Sequence, residues 1–255
     1  MNSVLSVRNL KHGVFMKQNC SSIVIFKREI KAYFASPIAY IVTGLFLLAS
    51  GFLFFNTFFL NNRAELRQFF GLLPIVLSFF IPALTMRLLA EEKRSGSYET
   101  LLTLPVTEVE IVLGKYLAAF AAGAVMLVPT LFYAITCFIF GKPDAGPMIG
   151  GYLGALFLIA SFSAIGLFAS SLTKNQIIAF FIAFAICIVI TLISSFLIFM
   201  PASVVTFFNF FSAESHFESI SRGIIDLRDL VYFISLTALF FVLTVESLKS
   251  TGEAR

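Results

Sequence analysis

Glu214, His216 and Glu218 place two carboxylates and an imidazole within five residues, side-chain types that bind divalent metals. On a helix, however, Glu214 and Glu218 share a face while His216 points elsewhere, so the spacing favours a structural or capping role. No metal or other cofactor is expected. Cys20, Cys137 and Cys187 are isolated thiols, outside any CxxC and away from both histidines. Cys137 and Cys187 lie inside apolar runs and read as small packing residues. Gly114-Lys115 and Gly141-Lys142 lack the preceding glycine of a phosphate-binding loop, so the chain cannot hydrolyse a nucleoside triphosphate by itself. Paired carboxylates and histidine clusters are missing from the apolar runs. That argues against a proton-coupled carrier and against an enzyme embedded in a bilayer.

The densest charged segment lies elsewhere. Glu91–Lys115, EEKRSGSYETLLTLPVTEVEIVLGK, is a polar island between two long apolar runs. A short helix is expected over Glu91–Leu104, broken or started near Gly96 and ended by Pro105. Thr107 and Glu110 form a capping box that launches the next helix. An ordered charged segment between two spans presents a surface to a partner in water.

The elements that position these groups follow from composition. Hydrophobic residues make up 59% of the chain and charged residues 13%, with 33 Phe. A soluble domain carries roughly 25% charged residues. The solvent for most of this chain is therefore lipid. No basic face with interleaved aromatics suggests nucleic acid. Residues 1–21 carry no patterned element and are expected to be a disordered extension, with Met16 an alternative start to Met1. Over 22–35, Ile23, Phe26, Ile30 and Phe34 recur at helical spacing while Lys27, Arg28, Glu29 and Lys31 occupy other faces, as in an amphipathic interfacial helix.

Six spans are expected in the domain 36–248: Pro37–Phe59, Phe69–Met86, Tyr116–Phe140, Met148–Leu172, Ile177–Met200 and Leu230–Val245. Ser36 and Pro37 start the first, and Pro74 and Pro82 should bend the second. Gly150 and Gly154 form a small-xxx-small pair that lets a helix approach. In the outer loop, 201–228, Val204–Phe211 is expected to dip into or lie on the interface. Ser215 and Glu218 would cap a short helix running to about Ile225. Residues 249–255 form a tail. With both termini inside, inner segments hold 13 Lys and Arg and outer segments 5, which puts the island in the cytoplasm; the expected location is a bacterial inner membrane. The fold class is thus an all-α polytopic membrane protein.

The island, continued to EEKRSGSYETLLTLPVTEVEIVLGKYLAA, resembles the coupling segment of ABC-2-type transporter permeases. More narrowly it resembles the gliding-motility and nitrous-oxide-reductase-maturation permeases. FFSAESHFESISRGIIDLRDLVYF, Phe210–Phe233, resembles the last extracellular loop of the same group. The resemblance implies a transmembrane subunit whose cytoplasmic coupling helix docks on a separate ATPase through Glu91, Glu92, Gly96, Glu99, Leu101, Leu102 and Pro105. It implies a dimer with itself or a similar permease, and a cargo or force path at their interface. It also suggests an accessory partner with an extracellular domain, met by Phe210, Phe211, His216 and Phe217. The competing expectation is a membrane enzyme or assembly factor that uses no ATPase; co-purification of an ATPase separates the two.

Overall fold

The structure is a computed structural model that describes residues 22–61, 66–97, 106–141, 143–196, 210–224 and 226–253. The described residues are helical, with no strand. Helix α1 covers 22–35. It is followed by α2 (Pro37–Asn61), α3 (Arg67–Thr85), α4 (Ala90–Ser95), α5 (Glu108–Leu127) and α6 (Leu131–Phe140). The rest are α7 (Ala145–Leu172), α8 (Gln176–Phe196), α9 (Ala213–Ser221) and α10 (Leu227–Glu253). Six helical stretches are long and apolar enough to cross a membrane, with α5 and α6 forming one of them through a 3-10 turn at Val128–Thr130. That turn contains Pro129, which lacks the N–H an unbroken helix would need.

The expected starts hold where local chemistry sets them. Helix α2 opens at Pro37. Helix α5 opens on a complete capping box: Thr107 Oγ1 accepts from the Glu110 N–H, and the Glu110 carboxylate accepts from the Thr107 N–H at 2.8 Å. Helix α4 ends at Gly96 in the left-handed region, φ +75°, where a side chain would be strained. Two boundaries move. The third span begins at Glu108 rather than Tyr116, because the capping box starts a continuous helix through Gly114-Lys115. The sixth span is longer than expected, Leu227–Glu253. The expected 215–218 capping box does not form: Ser212 is the N-cap and accepts from the Ser215 N–H, so α9 starts one turn earlier. Residues 1–21, the expected re-entrant stretch 204–209, and Glu99, Leu101, Leu102 and Pro105 lie outside the described residues.

Helices α3 and α7 form the centre of the bundle and bury most of their surface; α2, α8 and α10 leave most of theirs outside. The core combines aromatic and aliphatic side chains, with Phe46, Phe70, Phe162 and Phe233 almost fully enclosed. Small residues on α7 set the distance to its neighbours. A Cβ at Gly166 would fall 1.9 Å from Thr85 Oγ1 of α3, and one at Gly151 2.5 Å from the Phe70 ring. Gly150 and Gly154 do admit a helix, but that helix is α9 rather than another span. A Cβ on Gly150 would sit 2.2 Å from the Ile220 carbonyl oxygen, and one on Gly154 3.1 Å from the Phe217 ring. Phe217 is therefore 1% exposed and belongs to the core, which removes it from any partner surface.

Candidate functional site

The island end of the bundle is built around Lys115. Its position on α5 aims the ammonium into the protein, where it is 0% exposed. A buried ammonium has three donors and needs three acceptors. Lys115 Nζ meets Glu92 Oε1 at 2.8 Å, Glu29 Oε1 at 3.1 Å and the Leu88 carbonyl at 2.8 Å. Arg28 closes the group from outside, donating to Glu92 Oε1 at 2.6 Å and to Glu29 Oε1 at 3.2 Å. Two cations and two carboxylates neutralise one another, which is how charge persists in a low-dielectric interior. One oxygen, Glu92 Oε2, is buried without a hydrogen-bond partner.

This cluster joins three parts of the chain: α1 through Arg28 and Glu29, the island through Glu92, and the third span through Lys115. The face of α1 turned to the protein is Ser22, Ile25, Glu29 and Tyr33. The apolar stripe expected to define the helix faces elsewhere, with Ile23 and Phe34 about half exposed. So α1 has two working faces, one ionic and inward, one apolar and outward. Tyr33 donates to the Leu84 carbonyl at 2.6 Å. Burial holds its phenol well above the ordinary range, opposed by the Arg87 charge and reinforced by Glu29, so it stays a neutral donor. Arg87 lies over the Tyr33 ring, 4.7 Å from its centroid, and donates to Ser36 Oγ at 2.6 Å.

The turn between α3 and α4 is held by the end of α7. Ser170 Oγ accepts from the Leu89 and Ala90 N–H groups, each at 3.0 Å, and donates to the Met86 carbonyl at 2.9 Å. These are orphan backbone groups at a helix junction, and one buried hydroxyl satisfies three of them. Lys93 adds a bond to the Ser171 carbonyl. The first half of the island is therefore fastened to the spans. A cleft of about 570 Å³ opens beside it, lined in part by Arg28, Tyr33, Arg87, Glu91, Glu92 and Ser95.

Among the expected contact residues, Glu91 and Gly96 are exposed at this end. Glu92 is not: it is 9% exposed and turned onto Lys115, so it anchors the island instead of meeting a partner. Glu29 and Lys115 carry this arrangement and were not expected in it. The only signal for Glu29 was a carboxylate in an otherwise basic helix.

At the opposite end, Glu214, His216 and Glu218 diverge. Glu214 accepts from Ser194 at 2.6 Å, and Glu218 pairs with Arg222 on the surface. His216 Nδ1 lies 2.6 Å from Asp229 Oδ1 and Nε2 3.1 Å from the Phe210 carbonyl, with the ring stacked on Tyr232. The imidazole ties α9 to α10 and to the chain before α9. No metal-binding group forms among the described residues. Phe210 and Phe211 remain exposed.

Six apolar helices with a fastened polar segment at one end describe a membrane protein, and the comparison with known families decides which kind. The family model described as ABC-2 family transporter protein matches residues 13–251. This chain belongs to the ABC-2 family. The ABC-2 chain is a multi-pass inner-membrane protein. It is 31% identical over 119 residues to a protein called probable multidrug ABC transporter permease YbhS from Escherichia coli K12, and equally to the protein of that name from Escherichia coli O157:H7. That stretch is 45% of this ABC-2 chain, which spans only 31% of the length of those relatives.

Proposed function

We propose that the chain is the permease subunit of an ABC transporter complex, and that a separate cytoplasmic ATPase grips its island end. The ATPase activity belongs to that partner. The observation that carries this reading is the fastening of the island to α1, α5 and α7 through Lys115 and Ser170. A segment tied to several spans tilts them when pushed; a free loop would absorb the motion. The docking surface combines the exposed Glu91 and Gly96 with Glu99, Leu101, Leu102 and Pro105, while Glu92 holds it in place. A second permease copy packs on the exposed apolar faces, where Phe52, Phe55, Phe79 and Phe181 project. Between the copies runs a path suited to a lipid-linked, polysaccharide or polypeptide cargo, or to force transmission to an extracellular partner at Phe210 and Phe211.

The name of the E. coli relatives favours export. The gliding-motility and nitrous-oxide-reductase-maturation reading rests on the island and on Phe210–Phe233. Double charge reversal, Glu91→Lys with Glu99→Lys, tests the docking. The expected result is loss of ATPase co-purification and of ATP-driven activity with an unchanged unfolding temperature. Association that survives the reversal removes the docking surface; activity in vesicles without any ATPase supports the assembly-factor alternative instead.

The orientation is proposed with the termini and island inside, from the excess of Lys and Arg there. A single cysteine at the exposed Glu218 should react with an impermeant maleimide from outside intact cells. One at the exposed Lys174 should react only after the cells are opened. The reverse pattern inverts the topology.

A further inference from the structure

A second concavity, about 410 Å³, lies within the spans between α5, α7 and α10. Tyr116, Phe157, Ala160, Phe233, Ala238 and Phe241 line it. The walls are paired aromatics: Phe157 stacks on Phe233, and Tyr116 meets Phe241 edge-on. The volume of the concavity falls in the range of ligand sites, about 300–1,000 Å³.

The lining asks for no polar ligand. Thr237 Oγ1 lies 3.2 Å from Ser161 Oγ, which donates to the Phe233 carbonyl at 3.1 Å. With Thr237 held by Ser161, the lining is almost wholly hydrocarbon. The groove opens sideways past Leu113 and Ile234, both exposed.

Its length selects the occupant. Phe233 and Phe241 are eight residues apart, about 12 Å along the helix. One leaflet of hydrocarbon is half of a ~30 Å core. Beyond Phe241, after about a turn and a half, α10 reaches the exposed pair Glu246–Lys249, where lipid headgroups would begin. The groove thus runs from headgroup level toward mid-membrane, along the path of a lipid tail.

We propose that this groove holds one acyl chain of a resident bilayer lipid, in the leaflet at the island end. The chain fills a gap that three spans leave between them, and the site needs no ATPase to be occupied.

The full-length protein is placed in nanodiscs containing a phosphatidylcholine with a diazirine midway along one tail, irradiated, and its labelled peptides mapped. Label should concentrate several-fold on 113–116 and 234–241 relative to the exposed Phe132 on α6, which lies outside both the groove and the proposed permease contact. Ala238→Phe fills the groove from an exposed position on α10 and should abolish the enrichment; Ala160→Leu fills it from α7 and should do the same. Leu239→Phe, outside the groove, should leave the enrichment intact and controls for folding. Even labelling of all lipid-facing helices overturns the proposal. So does enrichment that survives both filling variants, or disulfide cross-linking of Ala238→Cys between two copies, which would make the groove a protein interface. Because no ATPase is present, failure here leaves the coupling proposal untouched, and failure of docking leaves this site untouched.

Discussion

Lys115→Met should lower the stability of the protein by about 3–5 kcal/mol, the cost of leaving buried charge without its partner. Methionine fills nearly the same space but removes all three donors. Glu29 and Glu92 then face each other's charge with only the half-exposed Arg28 between them. Thermal unfolding in detergent, followed by size-exclusion chromatography, should show a large fall in midpoint. The companion measurement is the triple variant Lys115→Met, Glu29→Gln, Glu92→Gln, which removes the charges together. It should recover much of the lost stability, because desolvation costs vanish with the ions. A triple variant no more stable than the single one would mean that packing, and not charge, holds this end together.

Gly150→Ala should be more harmful than Gly154→Ala at the same face of α7. Its methyl group would lie 2.2 Å from the Ile220 carbonyl oxygen, and backbone cannot turn aside as a side chain can. Overpacking of this kind costs about 1–3 kcal/mol, and the rigid neighbour puts this case at the upper end. Gly154→Ala meets the Phe217 ring at 3.1 Å, which a small ring shift relieves, so the loss there should be smaller. Gly44→Ala and Gly71→Ala meet nothing within 4 Å. Both should be neutral or stabilising, since alanine gains up to about 1 kcal/mol over glycine inside a helix. Unfolding midpoints that fail to follow this order would show that α9 does not dock against the start of α7.

Two corrections share a cause with these predictions. The family resemblance puts Glu92 on the docking surface, in a run with the charged Glu91, Lys93 and Arg94. Its burial depends on α1 and α5 arriving from 63 residues before it and 23 residues after it. Phe217 looked like a contact on an aromatic outer loop, yet a nine-residue helix must bury its apolar side somewhere, and the bare face of α7 at Gly154 receives it. In each case the residue type was visible and its direction was not. His216 fared differently. A helical reading already separated it from Glu214 and Glu218; its tie to Asp229, thirteen residues on, was not visible.

What the sequence by itself determined is what local physics controls. An apolar run of about 20 residues reads as a span in lipid. Pro37 at a helix start and the Thr107–Glu110 capping box act within a few residues of themselves. The family resemblance was carried by such contiguous segments. The tertiary structure alone decided which charges are hidden, which glycines touch backbone, and which aromatic faces leave a hollow. Each of these depends on groups far apart in the chain meeting at distances of a few ångströms, and lipid supplies no water to satisfy them if they do not meet.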